Sequence, residues 1–433
     1  MKVSYNWLTE YVSDKLPPVE VVVDALTMHS FEIESVEDMG DDKILDVKVL
    51  PNRAHDCLSH YGVAMELASV LGLSRNFLLP NQPIPDSKSI KLTISTKSCG
   101  RALMVLIKDV KVGQSPKWLI EKLKLLGYKS INSAVDITNY LTYSYGQPMH
   151  VFDADKISKN KKGQYEINIR DAVEGERITL LNGVEYALDN STMVIADSRR
   201  ALDVAGVMGG NDSSVTEDTK NIILSLSHFD AVSVRKTSKV LGIRTDASVR
   251  FENDISPSLV SRSLPYALKL MAESCGGVIE GVVDIYPNPQ KEKTILVTAE
   301  KIGNVLGVKI DTPTIIFLLQ KQQIKAVKNE DDILERFIAT IKKNGDWGIR
   351  RKIFNAAEVE IVKKRGGRIF VAEFAREFPA PEFFKTLSAE DRFKKIINPK
   401  LVAGVRVTID GSRTADFSFE SKLRKLFTPS ERS

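Results

Sequence analysis

The sequence lacks most of the features that mark membrane, secreted or metal-dependent proteins. No apolar run approaches the ~18–20 residues needed to cross a bilayer. The opening MKVSYNWLTEYV carries a Trp, a Tyr and a Glu where a signal peptide needs an unbroken apolar core. Both absences predict a cytoplasmic chain with no membrane span. Cysteine is scarce: Cys57, Cys99 and Cys275 are far apart, odd in number and without CxxC spacing, which argues against a disulfide framework or a zinc site. None of the five histidines sits in an HExxH pattern, so no metal site is expected. A GxxxxGKS/T phosphate loop, a kinase signature and a GxSxG elbow are all missing. The chain is therefore expected to bind no cofactor of its own. Internal repeats and low-complexity tracts are missing too.

What remains is an ordinary globular composition, 43% apolar and 27% charged over 433 residues, which excludes a disordered or collagen-like chain. At roughly 100–200 residues per domain, two to four domains are expected. The net charge of +5 is unevenly spread. Residues 333–433 hold 22 Lys and Arg against 13 Asp and Glu, whereas the first 332 residues are slightly acidic. That break marks a candidate boundary near residue 333. The basic tail reads either as a nucleic-acid-binding surface or as a solvated helical segment.

Periodicity predicts an α+β, multidomain chain. Helices are expected over 4–12 and 18–29, strands over 31–37 and 44–50, and a helix over 59–71 after Pro51 stops the second strand. These form a split α+β domain over 1–78. The proline-rich stretch 79–89 opens a linker over 79–94. Residues 95–285 then mix strands (102–112, 165–170, 192–196, 221–227) with helices over 116–126 and 257–274, a mixed α/β domain. A small helical or winged unit over 290–332 should run strand, helix, strand, helix, strand. The segment 333–433 should begin with helices to about 364. A strand at 368–374 and a strand–turn–strand plus helix over 402–427 complete an α+β tail.

Three clusters could carry chemistry. In DITNYLTYSYGQPMHVFD (136–153), Asn139, Gln147 and His150 could line a polar pocket presented by a loop that Gly146 and Pro148 shape. In AGVMGGND (205–212), Gly206, Gly209 and Gly210 let backbone amides approach a carboxylate or an oxyanion; the competing reading is a tight turn needing positive φ. In GIRTDASVRFEND (242–254), Thr245, Asp246, Ser248, Arg250 and Glu252 could read a small substrate's polar end, or merely cap a helix and form surface ion pairs.

Those clusters, with MKVSYNWLTEYV, PNRAHDCLSHYGVAMELASVLG (51–72) and SINSAVDITNYLTYSYGQPMHVFDADKI (130–157), resemble the β subunit of bacterial phenylalanyl-tRNA synthetase over residues 1 to about 330. The resemblance implies a split N-terminal domain, an editing domain and a small helical domain. It implies a partner α subunit that performs the ATP- and magnesium-dependent chemistry, with no catalytic residue for aminoacylation on this chain. It also implies tRNA(Phe) as a partner, and hydrolysis of tRNA wrongly loaded with tyrosine. An apolar pocket rejects one extra hydroxyl by only about 100-fold, so a second site that recognises the hydroxyl is useful. Carried over by position, the editing pocket would include His150, Gly206, Gly209, Gly210, Ser225, Thr245 and Ala247.

The departures shape these expectations. Ser225 in NIILSLSHF stands where the family usually has a glutamate that recognises the tyrosine hydroxyl, which implies weakened editing. The tRNA-binding insert expected between residues 39 and 44 is missing, as are the PxxRxD…EED stretch that supplies magnesium ligands and the family's later domains. FIATIKKNGDWGIRRKIFNAAE (337–358), IINPKLVAGVRVTIDGS (396–412) and FESKLRKLF (419–427) instead resemble the δ subunit of F-type ATP synthase, which implies ATP synthase subunits as partners. The alternative to a ligase subunit is a non-catalytic tRNA- or subunit-binding protein carrying this δ-like segment.

Overall fold

The computed structural model describes residues 1–12, 14–75, 83–290, 294–321, 324–327, 369–374, 392–397, 405–409 and 413–416. The chain divides into two compact units, Met1–Leu296 and Val297–Ser433. The charge break near residue 333 thus falls inside the second unit.

The first unit opens with β1 (Lys2–Ser4) and α1 (Tyr5–Leu8). The Ser4 hydroxyl caps α1 by accepting a hydrogen bond from the Trp7 amide at 3.0 Å. The helix expected to residue 12 continues only as a 3-10 turn over Thr9–Tyr11. After α2 (Val19–His29), β2 (Glu32–Asp38) and β3 (Lys43–Lys48) complete an antiparallel sheet in the order β1-β3-β2. Residues 39–42 alone join β2 to β3, so no insert interrupts the hairpin. Pro51 does more than stop a strand. It starts α3 (Pro51–Cys57), where its missing N–H costs nothing. α4 (His60–Leu71) follows, capped by Ser59.

Next come β4 (Ile90–Ile94), β5 (Cys99–Lys108), α5 (Lys117–Leu125), α6 (Ser133–Tyr145) and β6 (Met149–Asp153). The turn expected at Gly146 and Pro148 is thus a short connection, with Asn139 on α6 and His150 on β6. Asn132 caps α6 by accepting from the Val135 amide at 3.0 Å, and Ile137, Leu141 and Ser144 recur at helical spacing on its buried face. Only residues 146–148 connect α6 to β6.

β7 (Tyr165–Asp171), β8 (Arg177–Thr179), β9 (Glu185–Ala187), β10 (Met193–Ala196), β11 (Ala201–Val204), β12 (Met208–Gly209) and β13 (Ile222–Phe229) follow. α7 (Ala231–Leu241), α8 (Asp246–Phe251), α9 (Ser258–Cys275) and β14 (Val278–Ile285) end the unit.

Two larger sheets result, β12-β11-β10-β7-β4 and β14-β5-β13-β6. The central strands of the second, β5 and β13, are buried on both faces, so most of their residues are apolar. Leu103, Val105, Ile107, Leu224 and Leu226 join one core, with Trp7, Leu45, Leu67, Ile137 and Leu141. Ala102, Met104, Leu106, Ile223 and Phe229 join the other, against the five-stranded sheet. The first core is common to residues 1–78 and 95–285. Trp7 stacks on His60 and on Tyr140, with ring centroids 3.9 and 4.8 Å apart. His60 Nε2 accepts from the Ser4 amide and Nδ1 lies 3.0 Å from the Tyr143 carbonyl, so the ring is neutral and fixed in one tautomer; burial pushes its pKa down to about 3. The N-terminal segment thereby holds α6, and α6 delivers the chain to β6.

In the second unit, α10 (Ala299–Leu306) is capped by Thr298 and followed by α11 (Thr312–Lys321). The strands expected around these helices do not form among the described residues of 294–327. Their short apolar stretches find no ladder partner, and Ile295 and Val327 are exposed. Further on, β15 (Ile369–Phe374), β16 (Arg392–Ile397), β17 (Val405–Ile409) and β18 (Arg413–Asp416) form a sheet in the order β16-β15-β17-β18. β15 and β16 run parallel and the other pairs antiparallel. The helices expected over 333–364 and 419–427 lie outside the described residues.

Candidate functional site

Along the second-core face of β13 the apolar alternation fails twice: Ser225 and Ser227 stand between Ile223 and Phe229. Both serines are buried. Beside them, between the two large sheets, lies a cavity of about 80 Å³. β6 contributes His150, β11 contributes Asp203, the β11–β12 hairpin contributes Gly206 to Gly209, and α8 contributes Ala247 and Phe251.

His150 is placed by strand pairing, as the cross-strand partner of Ser225. Its ring meets Phe152 edge-on at 4.5 Å. Its Nε2 is shielded from solvent and has no hydrogen-bond partner among the described residues. Burial lowers the imidazole pKa to about 4, so the ring is neutral at pH 7. A neutral imidazole with an open nitrogen can hold a water or take a proton transiently. It offers no fixed positive charge.

The hairpin is shaped by its glycines. Gly206 has φ +76 and a Cβ there would come within 2.9 Å of Val234, so it needs both the left-handed conformation and the space. A Cβ at Gly209 would lie 2.4 Å from His150 Cε1, so the absence of a side chain there makes room for the imidazole. Gly210 does not line the cavity. Its amide donates to the Leu202 carbonyl at 2.9 Å and is already committed to the hairpin.

Thr245 also sits behind the cavity. Its hydroxyl donates to the Val207 carbonyl at 2.8 Å and accepts from the Ser248 amide at 3.1 Å, while Ser248 Oγ accepts from the Thr245 amide. This reciprocal cap starts α8 and fastens it to the glycine hairpin. The remaining polar groups of that cluster form structural contacts. Arg244 pairs with Glu252 at 3.0 Å, Arg250 with Asp246 at 3.2 Å, and Asp246 accepts from the Tyr128 and Tyr143 hydroxyls. Gln147 is buried and donates to the Ser227 carbonyl at 3.0 Å, tying the α6–β6 connection to β13. Neither Gln147 nor Asn139 lines the cavity.

Of the residues named from sequence, His150, Gly206, Gly209, Ser225 and Ala247 meet at the cavity, while Gly210 and Thr245 support it. Sequence reasoning missed Asp203, Ser227 and Phe251. The signal for Asp203 was a lone acid in ALDVAGV, an otherwise apolar run entering the glycine turn. For Ser227 it was a second serine at strand spacing from Ser225. Burial drives the Asp203 carboxyl up to about 7. No group of three or more His, Cys, Asp or Glu placed to hold a metal occurs among the described residues. No described helix is long and apolar enough to cross a membrane.

Residues 98–276, which supply this cavity, match the family model described as B3/4 domain. The chain is 39% identical over 306 residues to the phenylalanine–tRNA ligase β subunit of Carboxydothermus hydrogenoformans, covering 70% of this chain and 37% of that one. It is 40% identical over 276 residues to the same subunit of Bacillus cereus, covering 62% and 33%. For Rhodopirellula baltica the figures are 36% over 319 residues, 72% and 46%. The chain thus spans less than half the length of these curated relatives. A crystal structure of an N-terminal fragment of the phenylalanyl-tRNA synthetase β subunit from Pyrococcus horikoshii overlaps 76% of this chain and 90% of that one, at TM-score 0.41 and 14% identity. The resemblance of the C-terminal segment to the ATP synthase δ subunit finds no support in these matches.

Proposed function

We propose that the chain serves as a β-type subunit of a phenylalanine–tRNA ligase and that its cavity is a hydrolytic proofreading site for mischarged tyrosyl-tRNA(Phe). Three buried polar atoms around one cavity, without partners among the described residues, carry this reading: His150 Nε2, Ser227 Oγ and Asp203 Oδ1. Folded chains seldom leave such atoms unpaired, and a bound polar ligand or its water would satisfy them. The alignments to phenylalanine–tRNA ligase β subunits support the subunit part of this reading.

In this reading the aminoacyl end of the tRNA enters between the sheets. His150, neutral at pH 7, orients the attacking water beside the ester. The hairpin keeps its backbone close to the ligand because Gly209 has no side chain. Ser225 and Ser227 offer neutral hydrogen bonds. The Gly210 amide cannot serve as an oxyanion donor while it holds Leu202, so the developing charge must find other donors. In this reading ATP and magnesium belong to the activation step on a separate α subunit.

The engagement of the Gly210 amide with Leu202 also favours a second reading, a site that binds an aminoacyl group without hydrolysing it. The two separate in one assay. The full chain is mixed with preformed tyrosyl-tRNA(Phe), with no α subunit and no ATP. Release of tyrosine well above the buffer rate supports proofreading. Protection of the ester, at concentrations where the tRNA is bound, supports the binding module instead.

A further inference from the structure

β11 is buried along its whole length, and Asp203 lies in its middle, opposite Ile195 on β10 and Gly209 on β12. The first unit has four other buried aspartates, and each is satisfied. Asp42 accepts from Ser4 Oγ at 2.5 Å and from the Asn6 and Lys43 amides. Asp136 accepts from Ser115, Ser130 and the Ile131 amide. Asp153 accepts from Thr219 at 2.7 Å and from the Asp155 amide. Asp197 accepts from Ser158 and from the Arg199 and Arg200 amides. Asp203 is only 6% exposed, and its Oδ1 has no donor among the described residues. It is also the one of the five that lines the cavity. Burying a carboxyl without a partner is costly, so a strand that keeps one beside a cavity is provisioned for a donor that arrives with the ligand.

We infer that Asp203 is the specificity-determining residue of the cavity, accepting a hydrogen bond from the phenolic hydroxyl of a bound tyrosyl group. This rests on the reading of the cavity as a site for the aminoacyl end. A hydroxyl fits better than the ligand's ammonium group. An ammonium ion is strongly hydrated and needs several acceptors, whereas the cavity offers this carboxyl apolar company in Ile195, Phe229 and Phe251 and, besides it, only neutral polar side chains, Ser225, Ser227 and His150. A neutral donor can be buried there with one bond satisfied on each side. The acid absent from β13 at Ser225 thus has its counterpart across the cavity on β11.

The test compares the full-length wild type with Asp203→Ala and Asp203→Asn. Two readouts are used: deacylation of tyrosyl- and phenylalanyl-tRNA(Phe), and NMR titration with free L-tyrosine and L-phenylalanine. The wild type should prefer the tyrosyl form in both. Asp203→Ala should lower that preference about 10- to 100-fold, the usual worth of a hydrogen bond to a charged acceptor, through the tyrosyl arm alone. Asp203→Asn, which keeps a neutral acceptor, should fall between. Equal losses for tyrosine and phenylalanine would overturn the inference, because they mark an ammonium anchor. So would an unchanged preference, or a wild type with no tyrosine preference in either readout. Should the wild type fail to deacylate yet lose tyrosine binding selectively in Asp203→Ala, the proofreading reading falls while Asp203 keeps its role.

Discussion

Asp203→Asn should make the protein more stable at neutral pH while impairing ligand choice. The magnitude follows from the buried carboxyl. Its pKa is about 7 in the folded chain against an ordinary 3.8, a difference of about 3 pH units. Each unit is worth about 1.4 kcal/mol, so keeping Asp203 ionised in the fold costs about 4 kcal/mol in a dry cavity. The sign follows from proton uptake. The folded pKa is the higher one, so the stability attributable to protonated Asp203 is complete below pH 4 and lost as pH rises through 7. Relative to Asp203→Asn, the wild type should therefore lose about 1.4 kcal/mol per pH unit between roughly pH 4 and 7, and level off above. His150 and His60 have lowered pKa values and shift stability the other way, being costly as pH falls below their ordinary range. The difference between the two proteins cancels both. Urea denaturation followed by tryptophan fluorescence at pH 5, 6, 7 and 8 measures it. A stability difference that does not change with pH would show that Asp203 finds a partner in solution, and the reasoning would fail.

Three further outcomes follow from the geometry. Gly209→Ala places a methyl group 2.4 Å from His150 Cε1 and should displace the imidazole, lowering deacylation at least tenfold with folding retained; full activity with an intact fold would refute the assigned place of His150. Thr245→Val removes the cap of α8 and its bond to Val207, and should cost about 1–2 kcal/mol in chemical denaturation. A fragment of residues 90–285 should be markedly less stable than 1–296 and should bind a hydrophobic dye, because Trp7, Leu45 and Leu67 belong to the core that covers Ile137 and Leu141; a fragment as stable as the longer one would contradict that shared core.

Much of the fold could be read from the residues because the pattern and the packing agree. The alternating runs near 31–50 became β2 and β3, and the helix expected over 59–71 is α4, bounded by Ser59 and Gly72. α6 was hidden because Thr138, Thr142 and Ser144 sit on its buried face and blur the apolar stripe; backbone carbonyls accept from the two threonine hydroxyls, at Val135 and Thr138. The strands expected near 294–328 do not form among the described residues for the opposite reason: local apolar content is present there but no described ladder partner is. At the site, the glycines and His150 were legible as a cluster of special residue types. That Gly210 and Thr245 spend their groups on Leu202 and Val207 was not, because those bonds join segments up to 38 residues apart. Asp203 was passed over because a single acid in a strand reads as a solvent-facing position, and only the covering sheet and α8 make it internal.

The most direct test of the central claim is where an aminoacyl group binds. A crystal of the full chain soaked with an uncleavable 3′-amide analogue of tyrosyl-adenosine would show it. The tyrosyl ring should lie between the two sheets, its hydroxyl on Asp203 and its carbonyl beside His150. An analogue bound elsewhere, with the cavity's polar atoms still unpaired, would contradict it.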